Sequence, residues 1–204
     1  MILDFPASPQ RRRHGPAGYT SYHSYKEWLR DDFLFRCAFC LIREKWHPAG
    51  HASFSVDHLI PQSVDKSKAL DYENLLYACL QCNSLKRNVW PISDPTLEAY
   101  GAHLQTNNDG TVVPLSQKGS ILIEIFLLNE DGRVRFRARM LSLFRSITAV
   151  TTNTEAAQAI REFFGFPDDL PDLRRLRPPR NRRPRGISTC YFVLREKGKF
   201  PKIY

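Results

Sequence analysis

The sequence contains no apolar run approaching the length needed to cross a bilayer, which excludes a helical membrane span. Its first residues, Met1 to Arg13, lack the apolar stretch of a secretory signal. The cytoplasm is therefore the expected compartment, and no membrane is expected among the partners. No internal repeat is present. Acidic residues are missing from one stretch in particular. Between Arg174 and Arg185, seven arginines fall within twelve residues with no acid among them. They supply +7 of the formal net charge of +9, leaving the rest of the chain at only +2. Such a run suits polyanionic partners, because each phosphate neutralised releases counterions. A solvated linker is the plainer reading of a charge run, and docking on a protein is a third.

What is present is enough for a core. The chain has 204 residues, of which 42% are hydrophobic and 12% aromatic, so one domain with appended segments is expected. The first twenty residues are rich in Pro, Gly and Arg and read as an arm. Ser24 to Glu27 has capping-box spacing, and Trp28, Leu29, Phe33 and Leu34 follow with helical spacing, so a helix is expected over 24–35. Phe54 to Asp57 alternates as a strand does, and Leu75 to Ala78 is a second short apolar run. Asn83 to Asn88 looks like the start of a helix. Further on, Asn107 to Gly110 reads as a hairpin turn. Ser120 to Leu128 fits helix or buried strand, 133–147 leans to helix, and 152–155 offers a capping box with Gly165 as a stop. A Pro/Arg linker over 167–186 precedes Ile187 to Leu194, which favours a strand. The expected divisions are an arm at 1–23, a core at 24–92, a mainly helical extension at 93–166, and a linker with a C-terminal β segment at 167–204.

Two Cys-x-x-Cys pairs, Cys37/Cys40 and Cys79/Cys82, are separated by 38 residues. In a reducing compartment paired cysteines bind metal more often than they form disulfides. Two such turns brought together offer four thiolates in the tetrahedral arrangement that structural Zn²⁺ accepts. A redox pair would leave the second pair unexplained. Cys190 is left over and reads as a core residue.

The segment between and after these pairs holds Asp57-His58-Leu59-Ile60-Pro61, then Asn74-Leu75, then Cys79-Leu80-Gln81-Cys82-Asn83-Ser84-Leu85-Lys86. In this order the motifs resemble the HNH endonucleases, over about 37–90. That family runs Asp/His-His-x-x-Pro, Asn-Leu, and Cys-x-x-Cys-His/Asn-x-x-Lys, with Asn83 here in the place of the last His. The resemblance implies an α+β fold, with a ββα-metal (His-Me finger) core and a structural four-cysteine zinc site. Flanking helices and the C-terminal β segment would complete it. It also implies metal-dependent hydrolysis of phosphodiester bonds, DNA before RNA, leaving 5′-phosphate and 3′-hydroxyl ends.

The chemistry is readable residue by residue. Asp57 and His58 are neighbours on a strand, so their side chains diverge and can take different tasks. Asp57 is a hard oxygen ligand suited to Mg²⁺ or Mn²⁺, with Asn83 as a second oxygen donor. His58 suits general-base work. By resemblance, Asn74 orients it through its backbone or amide. Lys86 and Arg87 are candidate phosphate contacts, as are Arg180, Arg182, Arg183 and Arg185 in the basic segment. His14, His23, His47, His51 and His103 have no motif support, and surface histidine is the reading for His47 and His51. Stand-alone members of the family can partner ATPases in phage-defence modules, so the resemblance admits a defence-system ATPase as partner. The competing class is a non-catalytic zinc module that binds nucleic acid. Such a module has no need of an intact Asp57/His58/Asn74/Asn83 set.

Overall fold

The computed structural model describes residues 3–149 and 154–200. Its regular elements are, in chain order, β1 (Pro16–Ala17), α1 (Lys26–Asp32), β2 (Phe54–His58), β3 (Leu75–Cys79) and α2 (Leu80–Lys86), then β4 (Leu104–Thr106), β5 (Val112–Pro114), α3 (Gln117–Ile125), α4 (Asp131–Ala149) and α5 (Thr154–Phe164), and last β6 (Arg180–Asn181) and α6 (Tyr191–Glu196). They fall into two units. One is built from 11–92 with 167–200, the other from 3–10 with 93–149 and 154–166. The architecture is α+β, with three small antiparallel sheets of two strands each among the described residues. No helix among these residues is long and apolar enough to cross a membrane.

The first unit is organised around β2 and β3, paired antiparallel with Phe54 opposite Cys79 and His58 opposite Leu75. All of β3 is buried, whereas β2 leaves Ser55 and His58 partly exposed. The Phe54 and Tyr77 rings stack across the pair at 5.0 Å. α1 packs Trp28 and Leu29 into this core, and both are fully buried. It is shorter than the 24–35 expected. Ser21, not Ser24, does the capping: its hydroxyl accepts from the His23 amide, and a 3-10 turn over Tyr22–Tyr25 precedes the helix. At the far end, Leu34 and Phe35 adopt positive φ (57° and 56°) and turn the chain toward the first cysteine pair. α2 starts at Leu80 rather than Asn83, because β3 runs directly into it with Cys79 as the cap residue. Asn83 therefore sits one turn into the helix.

A buried polar network ties the N-terminal arm to this core. His14 is fully buried, with Nε2 2.8 Å from Asp31 Oδ1. Asp32 accepts from the Arg13 amide at 2.8 Å and from the Tyr72 hydroxyl at 2.8 Å. Burial raises the Asp32 carboxyl above its ordinary value, and His14, Tyr72 and Arg13 partly offset that. Arg12 lies between the rings of Phe33 and Tyr72 and donates to the carbonyls of Glu73 and Leu75.

The C-terminal segment corrects one expectation. Ile187 to Leu194 is helical rather than extended: a 3-10 stretch at Pro184–Thr189 leads into α6. Gly186, Cys190 and Val193 are buried, a spacing of four then three that only a helix presents to one side. Packing on that stripe overrides the strand preference of the individual residues. The Arg/Pro stretch before it is packed chain as well. Leu170 and Leu173 are buried, and β6 pairs with β1. Gly186 passes so close to the arm that a Cβ would stand 2.1 Å from the Arg13 carbonyl oxygen.

In the second unit the hairpin turn is where the sequence places it, between β4 and β5, with Gly110 at φ +87°. The two ambiguous stretches are helices, α3 and α4. Arg137 of α4 is buried and donates to the Gly110 carbonyl at 2.6 Å. α5 ends just before Gly165. Thr152 and Asn153 of the expected capping box lie outside the described residues.

Candidate metal centre and adjoining cleft

The two cysteine pairs meet. Cys37, Cys40, Cys79 and Cys82 are all buried, and their sulfurs lie within 4.8 Å of one another. Cys40 and Cys79 Sγ are 3.8 Å apart. A tetrahedron with metal–sulfur bonds of about 2.3 Å has edges of about 3.8 Å, so the donor set fits zinc. The first pair sits in a tight turn, closed by the Cys37 amide on the Ile42 carbonyl and by Leu41 at φ 62°. The Ala38 amide docks that turn on the Tyr77 carbonyl of β3 at 2.9 Å. The second pair spans the β3–α2 junction, where Cys79 Sγ accepts from the Cys82 amide at 3.4 Å. Burial and then the neighbouring thiols push Cys37 well above the ordinary thiol value; for Cys82 the neighbouring thiols lead. Four thiolates there require a cation. Cys190 is buried apart from the cluster, as a core residue would be.

Next to it, the end of β2 opens onto a cleft of about 300 Å³ lined by Tyr22, Asp57, His58, Gln62, Asn83 and Arg87 among others. Asp57 is only 5% exposed. Its Oδ1 is 3.5 Å from Lys86 Nζ, and its Oδ2 is buried with no hydrogen-bond partner. Burial pushes the Asp57 carboxyl up to about 6, against the pull of the Lys86 ammonium. Asn83 donates through its side-chain nitrogen to Ser55 Oγ at 2.8 Å, which leaves its oxygen as the atom for a cation. The buried, unpartnered carboxylate oxygen is the observation that fits a divalent ion here.

His58 lines the same cleft, with its Nε2 turned toward the loop between β2 and β3. Its Nε2 is 3.0 Å from the Ala69 carbonyl and 3.2 Å from the Gln62 side-chain nitrogen. A carbonyl only accepts, so the shorter Ala69 contact puts the proton on Nε2; Gln62 then meets that N–H through its side-chain oxygen, with the amide turned over, and Nδ1 keeps a free lone pair. Burial lowers the His58 pKa, opposed by the Ala69 hydrogen bond and reinforced by Lys86 and His23, which favours the neutral ring.

Asn74 reaches His58 only indirectly. Its side-chain oxygen accepts from the Ile60 amide at 2.8 Å, and its nitrogen donates to the carbonyls of Ile60 (3.0 Å) and Lys68 (3.2 Å). It thus ties the loop between β2 and β3, and that loop supplies the Ala69 carbonyl. Lys86 corrects another expectation. It is fully buried, with its ammonium on Asp57 and the His58 carbonyl, so it is not a solvent-facing phosphate contact. Arg87, the next residue, is exposed at the cleft.

Outside the cleft, His47 bonds Ser53 Oγ at 2.5 Å and His51 lies 3.6 Å from Asp169, both beside a separate cavity. Arg183 donates to the His14 carbonyl at 2.7 Å and pairs with Glu73 at 2.8 Å. Arg180, Arg182 and Arg185 are exposed, and among the described residues no carboxylate pairs with them. Sequence reasoning missed Tyr22 and Gln62. The three-residue spacing of Tyr19, Tyr22 and Tyr25 was the available signal for the first.

Among known families, the model of the HNH endonuclease family matches residues 37–88. No curated protein matches the chain.

One zinc per chain is expected by elemental analysis. Four thiolates joining distant turns contribute on the order of 10 kcal/mol in small zinc domains, so Cys79→Ser should misfold or aggregate while Cys190→Ser is mild. Folded protein that carries no zinc would refute the assignment.

Proposed function

From the premise that residues 37–88 are an HNH endonuclease domain, we propose that the protein is a metal-dependent endonuclease acting on DNA. The observation that carries this reading is the pairing in one cleft of an imidazole engaged through Nε2 with a buried carboxylate having an unpartnered oxygen. A non-catalytic binder gains nothing from an unsatisfied buried carboxylate, which costs stability.

His58 Nδ1 takes the proton of a water attacking phosphorus. The new bond is water oxygen to phosphorus, the P–O3′ bond breaks, and the departing 3′ oxygen acquires a proton from solvent. The ends are a 5′-phosphate and a 3′-hydroxyl. Because water is the nucleophile, no 2′-hydroxyl is needed, and DNA is a sufficient substrate. Asp57 and Asn83 would hold Mg²⁺ or Mn²⁺, which stabilises negative charge on the phosphate and the leaving oxygen when bound. In this reading Arg87 at the cleft and the exposed Arg180, Arg182 and Arg185 would take flanking phosphates, while Arg183 holds the arm.

Supercoiled plasmid should be cut with Mg²⁺ or Mn²⁺ and spared in EDTA, with zinc retained. His58→Ala should slow single-turnover cleavage by roughly 10²–10⁴, the usual contribution of a general base. Zinc content, melting and DNA binding should stay as in the parent. Parental rates in that variant would place the base elsewhere.

The Asp57 carboxyl binds a proton or a cation, not both. With its value near 6, Mn²⁺ affinity should rise with pH and level off above 7. It should be about tenfold weaker at pH 5 than on the plateau. Calorimetric titration checks this, and Asp57→Asn should remove the Asp57-linked rise; an unchanged pH profile in that variant would exclude Asp57 as ligand.

Neutralising Arg180, Arg182 and Arg185 together should weaken DNA binding equally across sequences and lower the slope of log K against log salt by about 3. Identical slopes would leave the segment structural.

A further inference from the structure

Tyr22 belongs to the cleft but lies outside residues 37–88. Its ring meets the His58 ring nearly edge-on, with centroids 4.8 Å apart and planes at 73°. The 3-10 turn that carries it is held at several points. The Ser21 hydroxyl caps it through the His23 amide. Tyr25, three residues on and fully buried, packs between Tyr19 at 5.0 Å and Tyr72 at 5.6 Å. Lys26 donates to the His51 carbonyl at 2.9 Å. Tyr22 is thus presented from a fixed support, while its ring remains half-buried at the cleft.

An imidazole held through Nε2 by one carbonyl can still break that bond, turn about Cβ–Cγ and exchange tautomers. His58 is the last residue of β2, and beyond the Ala69 carbonyl and Gln62 its ring meets only the Tyr22 ring among the described aromatic contacts. We propose that Tyr22 is a positioning residue: its ring walls the imidazole so that Nδ1 stays directed at the cleft. The proposal rests on the nuclease reading for its catalytic consequence, though not for the contact itself. The group required is the ring. The phenol hydroxyl has no assigned part, and Tyr22 makes no contact with reacting atoms in this role.

A double-mutant cycle tests it. Tyr22→Ala and the bulkier Tyr22→Leu should slow single-turnover cleavage roughly ten- to a hundredfold, the scale of a misplaced catalytic group. The dissociation constant for DNA and the zinc content should not change. Tyr22→Phe should cleave within about twofold of the parent, since it keeps the ring. In the His58→Ala background, Tyr22→Ala should have no further effect, because residues acting through one another are non-additive. If it slows cleavage as much there as in the parent, or weakens DNA binding, Tyr22 acts on substrate directly and the proposal fails. A second measurement needs no activity. The nitrogen shifts of the His58 ring should report a single Nε2-protonated tautomer in the parent and in Tyr22→Phe, and tautomer averaging in Tyr22→Leu. An unchanged ring in Tyr22→Leu overturns the proposal. Absence of cleavage by the parent protein with any divalent ion would defeat the nuclease reading alone, and the ring shifts would still decide the role of Tyr22.

Discussion

Everything at the cleft depends on the meeting of four thiols. Cys79 is the residue through which this works: it ends β3, pairs with Phe54, caps α2 with its sulfur, and faces Cys40. Bringing the first pair up to it fixes where β3 stops and α2 begins. Because β2 is in register with β3, the same closure sets Asp57 and His58 at the open end of the sheet and Asn83 one turn into the helix. Buried thiols alone offer little attraction. Their desolvation makes them poor anions without a cation, and a metal bound there would hold so small a sheet together.

The legibility of the sequence follows from how local each determinant is. The cysteine spacings, the alternation in Phe54–Asp57 and the apolar run at Leu75–Ala78 are local, and each is where its residues imply. Helix boundaries were less legible, since Ser21 and Ser24 both look like caps and only tertiary packing chooses between them. The fate of Ile187–Leu194 was not legible at all. Its strand-favouring residues are overruled by a buried stripe that exists only once Asp31 and the arm are in place, with Asp31 accepting from the Tyr191 amide at 2.8 Å. Tyr22 was missed for the same reason. Lys86 was misplaced because its motif position shows only that a cation is needed, not that its partner is Asp57.

The arm illustrates how a composition can mislead. Its Pro, Gly and Arg content reads as an arm, yet Arg12, Arg13 and His14 are bonded into the unit. Their partners explain why. Asp31 and Asp32 are buried carboxylates, and burial is tolerated only when their oxygens are occupied. The arm supplies most of the occupants, Tyr72 one more. Since Tyr72 and the Glu73 carbonyl held by Arg12 belong to the loop that Asn74 ties, the arm braces the loop that carries Ala69.

Two buried carboxylates therefore divide by what surrounds them. Asp32 has both oxygens satisfied by protein donors, so its burial works toward fold specificity. Asp57 is comparably buried but has one oxygen on Lys86 and one on nothing. Lys86 divides its ammonium between Asp57 Oδ1 and the His58 carbonyl. Among the described residues, Asp57 Oδ2 is the one buried carboxylate oxygen left without a partner, and Asp57 lines the cleft. That shortfall stands beside the His58 imidazole, so one cleft presents a carboxylate oxygen able to take a cation and a ring able to take a proton.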